Sequence, residues 1–411
     1  MPDPASISRA LAEVAEDADP RVMTGEVWSD LCRTLEKAGR FVLGDDVPDS
    51  PNDRAEGFRY LLRFLAAGIN ACVEHSDPDV PEFGRMMDWN ERWGLDNPDC
   101  LYLISTIRGD AAYRIHGRLG GAHHLDVQVN AGHYAYGTVA AVKTIASLNL
   151  PQLERGEGGT IEIFLGGPPR ETNWIPLADD AQFVLLRQLF LDWEREEPGH
   201  FLIERVGGEV TIPRPRTDQI AERIDRLRSW LDVGGQLWEN MSKVMVNREP
   251  NSLIVGPPEA SGEHSGTAGQ SYGMGNFHCG EDEAVILEFA PPPCHYWSVS
   301  LATWWWEAID PATRQSSLNG HQARLDDDGR FRAVISHDDP GVPNWLDTAG
   351  HTKGTAIVRL IDAEAALEPI YHVVPRSEVL DHLPTTARVP PDERQRLLAR
   401  RRDAFATRYR R

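Results

Sequence analysis

Residues 158–198, GGTIEIFLGGPPRETNWIPLADDAQFVLLRQLFLDWEREEP, decide the fold, because residues 329–369 repeat their pattern as GRFRAVISHDDPGVPNWLDTAGHTKGTAIVRLIDAEAALEP. Four landmarks keep a constant offset of 171 residues: Gly158 and Gly329, Pro169 and Pro340, Asn173 and Asn344, Pro198 and Pro369. In each copy a β-patterned run leads through proline to Asn-Trp and then to an apolar run with an arginine near its end, Arg187 or Arg359. A pattern that recurs at one offset with its turns intact marks two related β-rich units in one polypeptide.

Working outward, 411 residues exceed one ordinary core and fit two or three domains. Composition is that of a globular chain, 41% hydrophobic and 26% charged. Met1-Pro2-Asp3-Pro4 carries neither a basic n-region nor an apolar h-region, and no stretch has the roughly 18 apolar residues of a membrane helix, so a cytoplasmic location and no membrane partner are expected. The cysteines, Cys32, Cys72, Cys100, Cys279 and Cys294, are odd in number and widely spaced, which argues for thiols rather than disulfides or a zinc knuckle. A net charge of −21 disfavours nucleic acid as a partner. The exception is the arginine-rich C-terminus, from Arg394 to Arg411, which reads as a helix docking on the acidic body or on a second subunit, making a homo-oligomer an option.

The first quarter reads as helical. Ile7, Leu11 and Val14 share one face, Val27, Leu31 and Leu35 another, and Ser50-Pro51 opens a third helix with the stripe Phe58, Leu61, Leu62, Leu65 and Ile69. Residues 75–98 are loop-like but rich in aromatics, and short β-patterned runs with glycine turns follow from Cys100. Pro213 and Pro215 close the first unit, and a helical pattern with Ile220, Ile224, Leu227 and Leu231 follows Thr217. The fold class is therefore α+β, mainly β: a helical N-terminal region (1–98), a β-sandwich of jelly-roll type (99–215), a helical insert (216–250), a second such sandwich (251–375) and a basic C-terminal helix (376–411). The Gly- and Ser-rich stretch 256–280 reads as a lid loop.

Cys294-His295-Tyr296-Trp297-Ser298-Val299, Arg314-Gln315-Ser316-Ser317-Leu318-Asn319-Gly320-His321 and His337-Asp338-Asp339-Pro340-Gly341-Val342-Pro343-Asn344-Trp345-Leu346-Asp347 resemble the bacterial family known as domain of unknown function 1214, in its longer actinobacterial form. Gly94-Leu95-Asp96-Asn97-Pro98-Asp99 and Asn173-Trp174 extend the resemblance over about residues 50–375. It implies jelly-roll sandwiches and supplies no reaction.

The second unit is richer in reactive side chains. His321, His337 and His351 with Asp338, Asp339 and Asp347 could ligate a divalent metal, but no His-x-His or His-Glu-x-x-His spacing is present, and hydrogen-bonded loop residues are the simpler reading. Strand alternation would turn Trp304 and Trp306 into the core and leave Trp305 and Glu307 on the opposite face. Asn-Trp recurs in both units, which favours a structural corner, with asparagine bonded to turn backbone and the indole plugging the sandwich. Arg314, Asn319 and His321 have no counterpart in the first unit. His116, His123, His124 and His133 read as rim residues. Neither a Gly-x-Ser-x-Gly elbow nor a phosphate loop is present.

These features favour an enzyme over a binding protein or an oligomerising scaffold. A hydrolase or lyase would act on a small, partly apolar organic ligand in a pocket of the second unit. His321 or His337 would be the base, Glu307 or Asp347 its partner and Arg314 the anchor, with Tyr296, Trp297, Trp305, Asn319 and Trp345 contacting substrate. No cofactor is specified beyond the metal option. The two rival readings are a carbohydrate- or lipid-binding protein without catalysis and a structural scaffold.

Overall fold

The computed structural model describes residues 18–134, 142–208, 216–256, 269–384 and 387–410. The helical pattern at Ile7, Leu11 and Val14, the prolines Pro213 and Pro215, and residues 257–268 of the expected lid lie outside them. The rest of that lid is not a loop. Gln270–His278 is a strand at the heart of a sheet, and its glycines mark close packing: a Cβ on Gly275 would sit 1.8 Å from the Ser252 carbonyl oxygen.

The N-terminal region folds as α1 (Pro20–Thr24), α2 (Glu26–Phe41) and α3 (Pro51–Ile69), which runs into a π-helical turn, Asn70–Glu74. Val27 and Leu31 are the buried residues of α2. Ser50 caps α3, its Oγ accepting the Asp53 N–H at 3.1 Å. The expected apolar stripe of α3 is only partly inward: Phe58, Leu62 and Ile69 are exposed, while Tyr60, Phe64 and Ala67 enter the core. Glycine decides which face packs. A Cβ on Gly57 would lie 2.4 Å from the Trp305 ring, so only glycine there lets the indole lie against the helix.

The first unit comprises β1 (Gly84–Arg85), β2 (Cys100–Thr106), β3 (Tyr113–Arg118), β4 (His124–Ala131), β5 (Lys143–Asn149), β6 (Thr160–Leu165), β7 (Trp174–Ile175), β8 (Ala181–Leu189) and β9 (His200–Arg205). The second comprises β10 (Leu253–Val255), β11 (Gln270–His278), β12 (Glu283–Phe289), β13 (Tyr296–Ala302), β14 (Ser317–Asn319), β15 (Phe331–Ser336), β16 (Trp345–Asp347), β17 (Lys353–Ile361) and β18 (Ile370–Pro375). A five-stranded sheet β1-β2-β8-β4-β5 packs on a four-stranded sheet β7-β6-β3-β9, and β10-β11-β17-β13-β14 packs on β16-β15-β12-β18. Strand for strand, the two units have one topology.

Every residue of β4 is buried, which a strand with one face on a sandwich core and the other in water could not show. The second face is covered by the other unit. Cys100 and Leu189 of one five-stranded sheet meet Tyr296 and Ile361 of the other, so the two larger sheets form the inner layers. Away from this contact they part around α3 and the insert, α4 (Thr217–Ser229) and α5 (Gly235–Val246), which share an aromatic core with Ile104, Phe183, Leu185 and Ile357.

The tryptophan run departs from strand alternation. β13 ends at Ala302, and residues 303–308 turn, with Thr303 N–H donating to the Glu307 carbonyl at 2.9 Å and Trp306 at φ 58°. All three indoles are buried: Trp305 meets Phe41 edge-on and Trp306 stacks on Trp238. The C-terminal helix α6 (Pro391–Arg410) docks on the chain's own body. Arg394 is bonded to Asp339, Gln315 and the Val342 carbonyl, Arg401 to the Pro311 carbonyl and Ser317, and Arg408 to the Pro98 carbonyl.

Candidate ligand cavity between the two units

Where the inner sheets part they leave a cavity of about 230 Å³. At ~30 Å³ per molecule of liquid water this holds roughly eight waters, or one small organic molecule. Tyr102, Leu185, Arg187 and Leu189 line it from the first unit, and Gln270, Tyr272, Met274, Ile357 and Arg359 from the second. Met86, Met87, Trp93, Leu95 and Asn97 close it from the 75–98 crossing, with Trp238 and Met241 of α5 and Trp306 of the turn. The crossing is held by two left-handed residues, Leu95 (φ 61°) and Trp306 (φ 58°), joined by a Leu95 N–H to Trp306 carbonyl bond of 2.7 Å. Backbone held in such a region is over-determined by its surroundings. Here those surroundings include the Arg359 guanidinium, which donates to the Leu95 carbonyl.

The electrostatics of the lining are one-sided. Arg187 Nη1 donates to Asp126 Oδ2 at 2.9 Å and to Gln128 Oε1 at 2.7 Å. Burial, the largest influence, opposes the Arg187 charge, but the Asp126 carboxylate together with Tyr134, Tyr102 and Cys100 outweighs it and the net shift is upward. Burial also lifts the Asp126 carboxyl to about 6, which Arg187 only partly offsets. The lining Tyr102 and Tyr272 hydroxyls are pushed up by burial, and the Cys100 thiol to about 12, so all three stay protonated at neutral pH. Among the described residues no histidine and no carboxylate lines the cavity. Its chemistry is hydrophobic contact, hydroxyl and amide donors, and guanidinium.

The family described as "Protein of unknown function (DUF1214)" matches residues 280–365, which span β12 to β17. A crystal structure of an uncharacterised protein from Burkholderia cenocepacia is 30% identical, covers 87% of this chain and 99% of its own, and superposes with a TM-score of 0.82. The second unit carries the DUF1214 domain. The VPA0106 protein of Vibrio parahaemolyticus is 14% identical over 77% of this chain and 98% of its own, with a TM-score of 0.44. No curated protein matches the chain.

Around this DUF1214 domain the reactive residues singled out in the sequence are dispersed. Each of the three histidines has its own partners: His321 is mostly exposed with Asp192 at 3.6 Å, His337 is bonded to the Cys279 carbonyl at 3.1 Å and Thr348 at 2.7 Å, and His351 meets Asp53 at 2.7 Å. Among the described residues no group of three His, Cys, Asp or Glu is placed to hold a metal ion. Arg314 pairs with Asp347 at 2.8 Å, a partly exposed ion pair worth little on its own. Glu307 is buried against Arg63, and burial pushes its carboxyl up to about 7 against the pull of Arg92 and Arg63.

The expected aromatic wall is likewise divided. Trp297 packs with Phe289 and Phe331 inside the second sandwich, Trp345 lies beneath Arg394 on the far side of β16, and Trp305 plugs α3. None of the tryptophans expected to contact substrate, Trp297, Trp305 and Trp345, lines the cavity, whereas Trp306, expected in the core, does. Asn319 and Tyr296 staple the units together through Asp99, whose carboxylate accepts from Asn319 Nδ2 at 2.8 Å, the Tyr296 hydroxyl at 2.6 Å and Trp193 Nε1 at 2.7 Å.

The cavity residues that sequence reasoning passed over did leave a signal. An arginine after the apolar run of each central strand, Val184-Leu185-Leu186-Arg187 and Ala356-Ile357-Val358-Arg359, is a buried charge that needs a reason.

Proposed function

We propose that the protein binds one small, partly apolar organic molecule in the cavity between its β units. The observation that carries this reading is the lining itself: methionine, tryptophan, tyrosine and aliphatic side chains from both units around about 230 Å³, with a few polar groups to orient a guest. Small-molecule sites are built in this way and favour the junction of domains. The cavity lies between the units rather than within the second, so the duplication supplies both halves of one site. Free cysteines fit a cytoplasmic protein, and the C-terminal helix, which a scaffold would give to a second subunit, is committed to its own chain.

A second reading, acid–base catalysis of hydrolytic or lyase type, is favoured by Glu307. Burial pushes its carboxyl up to about 7, the range of an acid–base group at neutral pH, and it adjoins the cavity residue Trp306 in the chain while pairing with Arg63 outside the lining. One experiment tests both readings. A fragment library is titrated by ligand-observed NMR into wild type and Leu185→Trp, whose indole fills the cavity, and each binder is assayed for turnover by wild type and Glu307→Gln. Binding lost in Leu185→Trp supports the site. Binders that ignore it overturn the site, and turnover lost in Glu307→Gln promotes the enzyme over the binder.

A further inference from the structure

The two cavity arginines occupy equivalent places in the repeat, and their neighbours do not. Across the first inner sheet the register sets Asp126, Arg187 and Tyr102 in one row, and across the second it sets Ser298, Arg359 and Tyr272. Two residues along, Gln128 corresponds to Ser300. Both side chains that hold the first guanidinium, one of them its counter-charge, are thus serine in the second unit.

Arg359 is 3% exposed. Its Nη1 donates to Ser300 Oγ at 2.9 Å, and its Nη2 donates to the Leu95 carbonyl and to the Asp96 carbonyl at 3.4 Å. All three partners are neutral, and among the described residues no carboxylate lies within ion-pair distance of this guanidinium. These bonds use three of its five N–H groups. A buried cation without a counter-ion is unfavourable, and the remedy in the first unit is a carboxylate on the strand beside it.

We infer that Arg359 receives the carboxylate of the ligand, which takes at this arginine the part that Asp126 takes at Arg187, so that the cavity selects small organic monocarboxylates with an aromatic or short aliphatic body. The inference rests on the cavity being the binding site. Charge favours a monoanion: of the two lining guanidiniums only Arg187 has a carboxylate within ion-pair distance, and the buried Asp96 carboxyl, which acts on Arg359 through space while accepting the Ala308 N–H, further disfavours a dianion such as a phosphate monoester. Tyr272, beside Arg359 in the row, keeps its proton at neutral pH and can donate to the second carboxylate oxygen. Met274, Ile357 and Trp306 supply the apolar wall for the body.

The test is calorimetry at neutral pH on the full chain with matched pairs: benzoate and benzamide, phenylacetate and phenylacetamide, hexanoate and hexanamide. The acid of at least one pair is expected to bind about tenfold to a hundredfold more tightly than its amide, the range of one charge-assisted hydrogen bond. Ser298→Asp, which gives Arg359 the counter-charge of the first unit, should collapse that ratio to about one. Should that variant fail to fold, Arg359→Gln should give the same collapse. Acid and amide binding equally, both lost in Leu185→Trp, would overturn the carboxylate assignment and leave the cavity standing. No binding by any of the six, or binding that Leu185→Trp does not change, would overturn the site and the assignment together.

Discussion

The first unit balances its inward arginine with Asp126, and the second leaves the equivalent Arg359 with serine and backbone carbonyls. Everything that fixes topology is shared between the units, from the strand order to the Asn-Trp corner. The difference lies on the faces that the units turn towards each other. A duplicated fold keeps what backbone pairing and core packing demand, and its freedom to diverge is at the seam. The asymmetry there turns two structural rows into one structural row and one candidate binding row.

The largest expected effect separates the rows directly. Asp126→Ala leaves Arg187 buried without its counter-charge and should destabilise the protein by about 3–5 kcal/mol in chemical denaturation. Ser298→Ala removes a buried hydroxyl that makes no bond to Arg359 and should cost less than about 1 kcal/mol. Equal losses would mean that the second row is as tightly balanced as the first, and the comparison would break.

A smaller effect appears with pH. Burial raises the Asp126 carboxyl to about 6, against roughly 3.9 for an unfolded aspartate, so between those values the folded protein holds a proton that the unfolded chain has released. Stability contributed by this group is therefore greatest below about pH 4 and falls as pH rises towards 6, by about 3 kcal/mol at 1.36 kcal/mol per unit. Denaturation curves for wild type and Asp126→Asn across pH 4–7 should differ by that slope, and parallel curves would assign the titration elsewhere. Ser298 gives the second row no such group.

How much of this was legible follows from what each signal depends on. The repeat, the Ser50 cap and most strands are local patterns of period, turn and offset, and they appear where the sequence places them. The inward face of α3 was not legible, because it depends on Trp305 and Trp230, distant in sequence, seeking Gly57 and Gly68. Nor was β11, whose glycines imitate a loop until β10 is laid against them. The candidate site failed for a related reason. Histidine and carboxylate drew attention as reactive types, yet His337 and Asp347 are bonded to loop partners, while the cavity depends on two sheets meeting face to face. Arg187 and Arg359 stood in the repeat from the start, and only the strand register shows which of them lacks a carboxylate.

The smallest expected effect concerns a feature the units share. Asn173 clasps Glu154, accepting its N–H at 2.9 Å and donating to its carbonyl at 2.8 Å. Asn344 does the same to Arg324, at 2.9 and 2.6 Å, and also donates to the Arg332 carbonyl at 3.0 Å. Replacing each by aspartate keeps the shape and the acceptor and removes only the donor. It also avoids a strain that alanine would add, because Asn173 sits at φ 49°, which aspartate tolerates. The buried Asn344→Asp then faces two carbonyl oxygens with a carboxylate and should lose about 2 kcal/mol, while the half-buried Asn173→Asp can turn to water and should lose less than about 1. Thermal denaturation of the two variants measures the gap. If both lose the same amount, burial is not what distinguishes the corners, and the units differ only along the arginine rows. A gap of the expected size shows that one motif, copied intact, contributes according to how deeply its unit buries it.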